Sequence, residues 1–94
     1  MALEFEWDAE KATSNEAKHG VSFREATTAF SDPLGRIVAD PRHSVSEERF
    51  VLLGLSHRNR LLAVMFTEHG ETLRLISARR ATRHEQRTYE EAEP

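Results

Sequence analysis

The sequence predicts a single α+β domain whose elements run βααββββα. Three observations carry that reading. Two helix starts with matching stops fall before residue 33. Three apolar runs from Arg49 onward are separated by short turns. A serine/threonine-x-x-glutamate signature at Thr82 opens a last helix.

Each element follows from local chemistry. Glu4-Phe5-Glu6-Trp7 alternates polar and apolar and carries two aromatics, which is the signature of a short strand, here placed at a sheet edge. Asp8 is positioned to accept the first free amides of a helix from about Ala9 to His19, and Gly20 supplies the left-handed stop. Ser22-Phe23-Arg24-Glu25 has the form of a capping box, with the serine oxygen taking a backbone amide and the glutamate reaching back. Phe23, Ala26, Thr27 and Phe30 then recur at helical spacing until Asp32-Pro33 breaks the helix. A strand follows near Ile37-Val38-Ala39, and Asp40 to Glu47, with Pro41 and two serines, reads as a turn or loop. Arg49 to Ser56, Leu61 to Thr67 and Glu71 to Ala78 form a meander of antiparallel strands, joined at His57-Arg58-Asn59-Arg60 and Glu68-His69-Gly70. Thr82 and Glu85 cap a terminal helix through about Glu91.

Bulk properties narrow the function classes. Ninety-four residues, 38% apolar and 31% charged, suit one core and one domain spanning 1–94. The absence of cysteine excludes disulfides, thiolate nucleophiles and sulfur-ligated zinc, and suits a reducing cytoplasm. The longest apolar run, Leu61 to Phe66, is far short of a membrane span, and Met1-Ala2-Leu3-Glu4 has no secretory character, so a soluble cytoplasmic protein is expected. The net charge of -3 argues against a nonspecific nucleic-acid coat. That average hides a division: residues 1–10 carry four acids and no base, whereas 74–87 carry five arginines against Glu85 alone.

The candidate site residues come from two stretches. Lys11, Asn15, Lys18 and His19 recur at four-, three- and one-residue steps, along one side of the first helix. Arg79-Arg80 stands where the last strand meets a helix start, a place where small folds bind anions, and guanidinium forks match phosphate oxygens. Strand alternation sends these two arginines to opposite faces, so one is expected in a pocket and the other on a carboxylate. Arg83 and Arg87, four apart on the last helix, extend a possible phosphate track, and Arg74, between Leu73 and Leu75, faces away from both. Each has a plainer reading as part of a solvated face. The five histidines lack ligand spacing except Asp40-x-x-His43, so neither a metal nor another cofactor is expected.

Phe5-x-Trp7-Asp8-x-x-Lys11-x-x-x-Asn15-x-x-Lys18-His19-Gly20-Val21-Ser22-Phe23, then Glu48-Arg49-Phe50, Gly54 and Ile76-Ser77-Ala78-Arg79-Arg80-Ala81-Thr82, resembles the BrnT toxins over nearly the whole chain. The resemblance implies a RelE-like fold, an antiparallel sheet with two N-terminal helices and one C-terminal helix. It also implies a bacterial type II toxin that cleaves RNA without metal and so inhibits translation, neutralised by a BrnA antitoxin. Such a toxin would meet DNA only through the antitoxin complex. It further implies a site of basic and polar groups on the sheet's open face. By position, Lys18, His19, Arg79 and Arg80 match family motif residues and are the catalytic candidates. Lys11, Arg58, Arg74, Arg83 and Arg87 are the RNA-binding candidates, Arg58 and Arg74 resting on the strand reading alone. Two alternatives stay open: an antitoxin-binding module acting in a transcriptional repressor complex, and a toxin of the same fold with a target other than RNA.

Overall fold

The computed structural model describes residues 3–39 and 48–91. Its elements are β1 (Glu4–Glu6), α1 (Ala9–His19), α2 (Phe23–Ala29), β2 (Arg36–Ala39), β3 (Phe50–Leu55), β4 (Leu61–His69), β5 (Thr72–Arg80) and α3 (Arg83–Glu90). The order is the one expected. The expected loop from Asp40 to Glu47, with the Asp40/His43 pair, lies outside the described residues.

The five strands form one sheet in the order β1-β5-β4-β3-β2. Strands β2 to β5 are the antiparallel meander, and β1 joins β5 in parallel, making the sheet mixed. The parallel edge follows from connectivity: after β1 the chain crosses the whole sheet through α1 and α2 before β2 begins at the opposite edge. Strand β5 extends two residues beyond its expected end, because Leu62 and Ala63 of β4 pair with Arg80 and Arg79. The two arginines therefore belong to the strand itself.

Helices α1 and α2 cover one face, where Val21, Phe23, Ala26, Leu62, Val64 and Phe66 build the main core. Edge-to-face aromatic pairs, Trp7 with Phe23 and Phe30 with both Phe5 and Phe66, tie β1 and the end of α2 into it. Gly54 is required here, since a Cβ would stand 2.7 Å from the Ala29 carbonyl oxygen. On the other face Val51, Leu53 and Ala63 form a smaller cluster that α3 covers through Tyr89.

The caps act largely as the sequence indicates. Asp8 Oδ1 accepts from the amides of Glu10 and Lys11, Gly20 takes φ 69°, and Thr82 with Glu85 forms a reciprocal capping box. The second expected box is only half formed. Ser22 Oγ accepts from Glu25 N at 3.0 Å, but the Glu25 carboxylate turns into the core instead of reaching back. A guanidinium partner there outweighs the single backbone amide it leaves.

Candidate active site between the first helix and the last strand

Strand β1 pairs with β5 only at Thr72 to Arg74, so beyond that point one edge of β5 has no strand beside it. Helix α1 fills the gap with a single side chain. Asn15, 8% exposed, donates Nδ2 to Ala78 O at 2.8 Å and to Val21 O at 3.0 Å, while its Oδ1 accepts from Ala78 N at 3.1 Å. The carboxamide thus substitutes for a missing neighbour strand, satisfying both backbone groups of Ala78 that would otherwise be stranded. Pinning α1 there leaves a cleft of about 190 Å³ lined by Lys11, Ser14, Asn15, Lys18, His19, Ile76 and Ser77.

The floor of this cleft is set by a bulge. Met65 pairs with Ser77 and Phe66 with Leu75, which leaves Ile76 as the extra residue of β5. The helical wall presents Lys11, Lys18 and His19, the side predicted from their spacing. Among the described residues no carboxylate pairs with any of the three. Such a cleft offers two ammonium groups, an imidazole and hydroxyls to an anionic ligand.

The arginines are distributed differently from the sequence expectation, which brought the arginine pair and the Lys-His helix end together. Arg79 lies opposite Ala63, on the α3 side of the sheet, where Nη1 and Nη2 meet Glu85 Oε1 and Oε2 at 2.7 and 3.0 Å. This fork holds the Glu85 carboxyl below its usual range and raises the guanidinium above its own. Arg79 therefore anchors the start of α3 and does not line the cleft. Arg80, exposed, lies opposite Leu62 and shares the α1 side, two residues beyond Ala78. Of the expected division, one arginine on a carboxylate and the other in a pocket, Arg79 fills the first part, while Arg80 does not line the cleft.

The remaining candidates are scattered. Arg74 donates to Glu6 Oε2 at 2.8 Å, beside His69 Nδ1 at 2.9 Å from the same oxygen, and these contacts hold the Glu6 carboxyl down. Arg58 sits on the β3–β4 turn, 62% exposed, with Nη1 3.8 Å from Glu25 Oε1. Arg83 and Arg87 are exposed on α3, on the opposite side of the sheet from α1. None of these four lines the cleft.

Two polar clusters have no counterpart in the sequence reading. Glu25, 3% exposed, receives Arg60 through Nε at 2.9 Å and through a close contact of Nη2 with Oε1, plus the Ser56 hydroxyl at 2.7 Å. Arg60 also donates to Gly20 O at 3.0 Å, fixing the exit of α1 beside His19. Arg60 is the main cause holding the Glu25 carboxyl below its ordinary range. At the other cluster Asp32 accepts from Leu55 N, Leu34 N and the Tyr89 hydroxyl, at 2.8, 2.9 and 2.6 Å. Burial first, and then Asp32, push the Tyr89 hydroxyl up to about 12. The only sequence signal for either cluster was a glutamate and an aspartate at helix ends, where capping explains them without any distant partner.

Comparison with known proteins places this arrangement. Residues 7–85 match the family of the ribonuclease toxin BrnT of type II toxin–antitoxin systems. The fold is similar to the 1.1 Å crystal structure of the Brucella abortus ribonuclease toxin BrnT. The TM-score is 0.63 and the identity 26%, covering 87% of this chain and 100% of that one. A search of curated proteins finds no match. Since the family match takes in α1, α2, all of β3 to β5 and the start of α3, the chain belongs to the BrnT family of type II toxins.

Proposed function

We propose that this chain is a metal-independent endoribonuclease and that the cleft between α1 and β5 is where it cuts RNA. The observation that carries the reading is the set of basic groups, Lys11, Lys18 and His19, that meet no carboxylate among the described residues, around one polar cleft of about 190 Å³. Attack of a ribose 2′-hydroxyl on the adjacent phosphorus forms the P–O2′ bond and breaks the P–O5′ bond. The 2′ proton leaves to a base, and the departing 5′ oxygen takes one from an acid. His19 is assigned to one of these proton transfers. Lys11 and Lys18 stabilise the extra negative charge of the phosphorane, and Arg80 holds the chain of phosphates beyond the cleft. Arg79, occupied by Glu85, is removed from the phosphate-binding role and kept as the anchor of α3. Arg58, Arg74, Arg83 and Arg87 are left as peripheral contacts to a longer RNA.

In this reading the protein acts in the bacterial cytoplasm, inhibits translation, and is neutralised by a BrnA-type antitoxin whose acidic side chains take the place of phosphate. DNA is contacted only by the antitoxin's part of such a complex. The test is incubation of purified protein with RNA in the presence of EDTA. Fragments ending in a 2′,3′-cyclic phosphate, lost in His19→Ala, are expected; cleavage abolished by the chelator would refute metal independence. Intact RNA, together with tight antitoxin binding, would instead make the chain a partner-binding module.

A further inference from the structure

Ser77 is a motif residue with no role so far, and its surroundings define one. The Asn15 carboxamide cannot be turned over, because its two ends are read by opposite groups of the same residue: Ala78 O requires the NH2 and Ala78 N requires the oxygen. The atom of Asn15 that Ser77 Oγ approaches, at 3.3 Å, is therefore the oxygen, so the serine hydroxyl donates its proton there. A hydroxyl whose proton is committed presents only lone pairs. Ser77 lines the cleft with Lys11, Lys18 and His19, so those lone pairs place an acceptor beside three basic side chains. A phosphate oxygen, itself an acceptor, gains nothing from such a group, whereas a sugar hydroxyl does.

Building on the cleft as the RNA site, we infer that Ser77 is a specificity-determining residue that accepts a hydrogen bond from the ribose 2′-hydroxyl and so distinguishes RNA from DNA. Asn15 is its positioning residue, holding the serine proton away from the cleft. The 2′-hydroxyl is the one donor that RNA has and DNA lacks at each sugar.

Nucleoside 3′-monophosphates and their 2′-deoxy counterparts separate binding from cleavage, since neither has a leaving group on phosphorus. Their affinities are to be measured by NMR titration of the whole protein, following the resonances of Lys18, His19 and Ser77. The wild type is expected to prefer the ribonucleotide by roughly three- to tenfold, the worth of one neutral hydrogen bond. Ser77→Ala is expected to lose that preference with unchanged affinity for the deoxynucleotide, and Ser77→Thr, which keeps the hydroxyl, to retain it. A preference that survives in Ser77→Ala overturns the inference and leaves the cleft standing. Absence of any preference in the wild type does the same. If neither nucleotide shifts the cleft resonances, both the inference and the cleft as RNA site fail together.

Discussion

The basic groups of the α1–β5 cleft differ in one respect from three arginines elsewhere in the fold. Arg60, Arg74 and Arg79 each hold a carboxylate, from Glu25, Glu6 and Glu85, whereas Lys11, Lys18 and His19 hold none among the described residues. A guanidinium already locked to a carboxylate has its charge and its geometry spent on the fold, and its removal strands the partner. An uncompensated cation beside a cleft raises the local potential and remains available to an incoming anion. The difference teaches that arginine density alone does not single out the cleft in this chain, because three of its arginines are already matched by carboxylates.

The comparison can be broken most decisively at His19. His19→Ala is expected to lower kcat on RNA by about 10²–10⁴-fold, the usual worth of a positioned acid or base. Its melting temperature should stay within a few degrees of wild type. A melting point that collapses with activity would move His19 into the structural group.

Arg60→Met is the opposite test. It leaves the Glu25 carboxylate buried without its partner, and about 3–5 kcal/mol of stability should be lost in urea unfolding. A loss below 1 kcal/mol would show that water or Arg58 reaches the carboxylate and takes over. The same pair has a pH signature. The folded-state Glu25 carboxyl lies below its ordinary 4.5, so its contribution is complete above that pH and is lost as the pH falls through the depressed value. Stabilities of wild type and Glu25→Gln, well separated at pH 7, should therefore converge on acidification; parallel curves would remove Glu25 as the cause.

Smaller effects sharpen the contrast. Tyr89→Phe deletes the hydroxyl that reaches Asp32 Oδ2 and should cost about 1–2 kcal/mol with cleavage intact, since α3 lies on the other face from the cleft. Lys11→Gln should weaken binding to single-stranded RNA and reduce the slope of log affinity against log salt by about 0.7, whereas Arg74→Gln should leave that slope nearly unchanged. Equal effects from both would put RNA on both faces.

The sequence by itself determined the elements and their order, because caps, glycine stops and apolar periodicity are local signals. Asp8, Gly20 and Thr82 mark their helix ends within a residue. It also determined that Lys11, Lys18 and His19 share a helix side, and that Arg79 and Arg80 part at the sheet, since both follow from fixed periods of the backbone. Its local logic went too far at Glu25, where a capping pattern was present but a guanidinium 35 residues away formed the stronger contact. Only the tertiary structure decided which face of the sheet α1 covers, and hence that Arg80 and not Arg79 shares the side of the Lys-His end. It alone decided, too, that Asn15 closes the open edge of β5, because a side chain reaching 63 residues along the chain leaves no periodic trace in sequence.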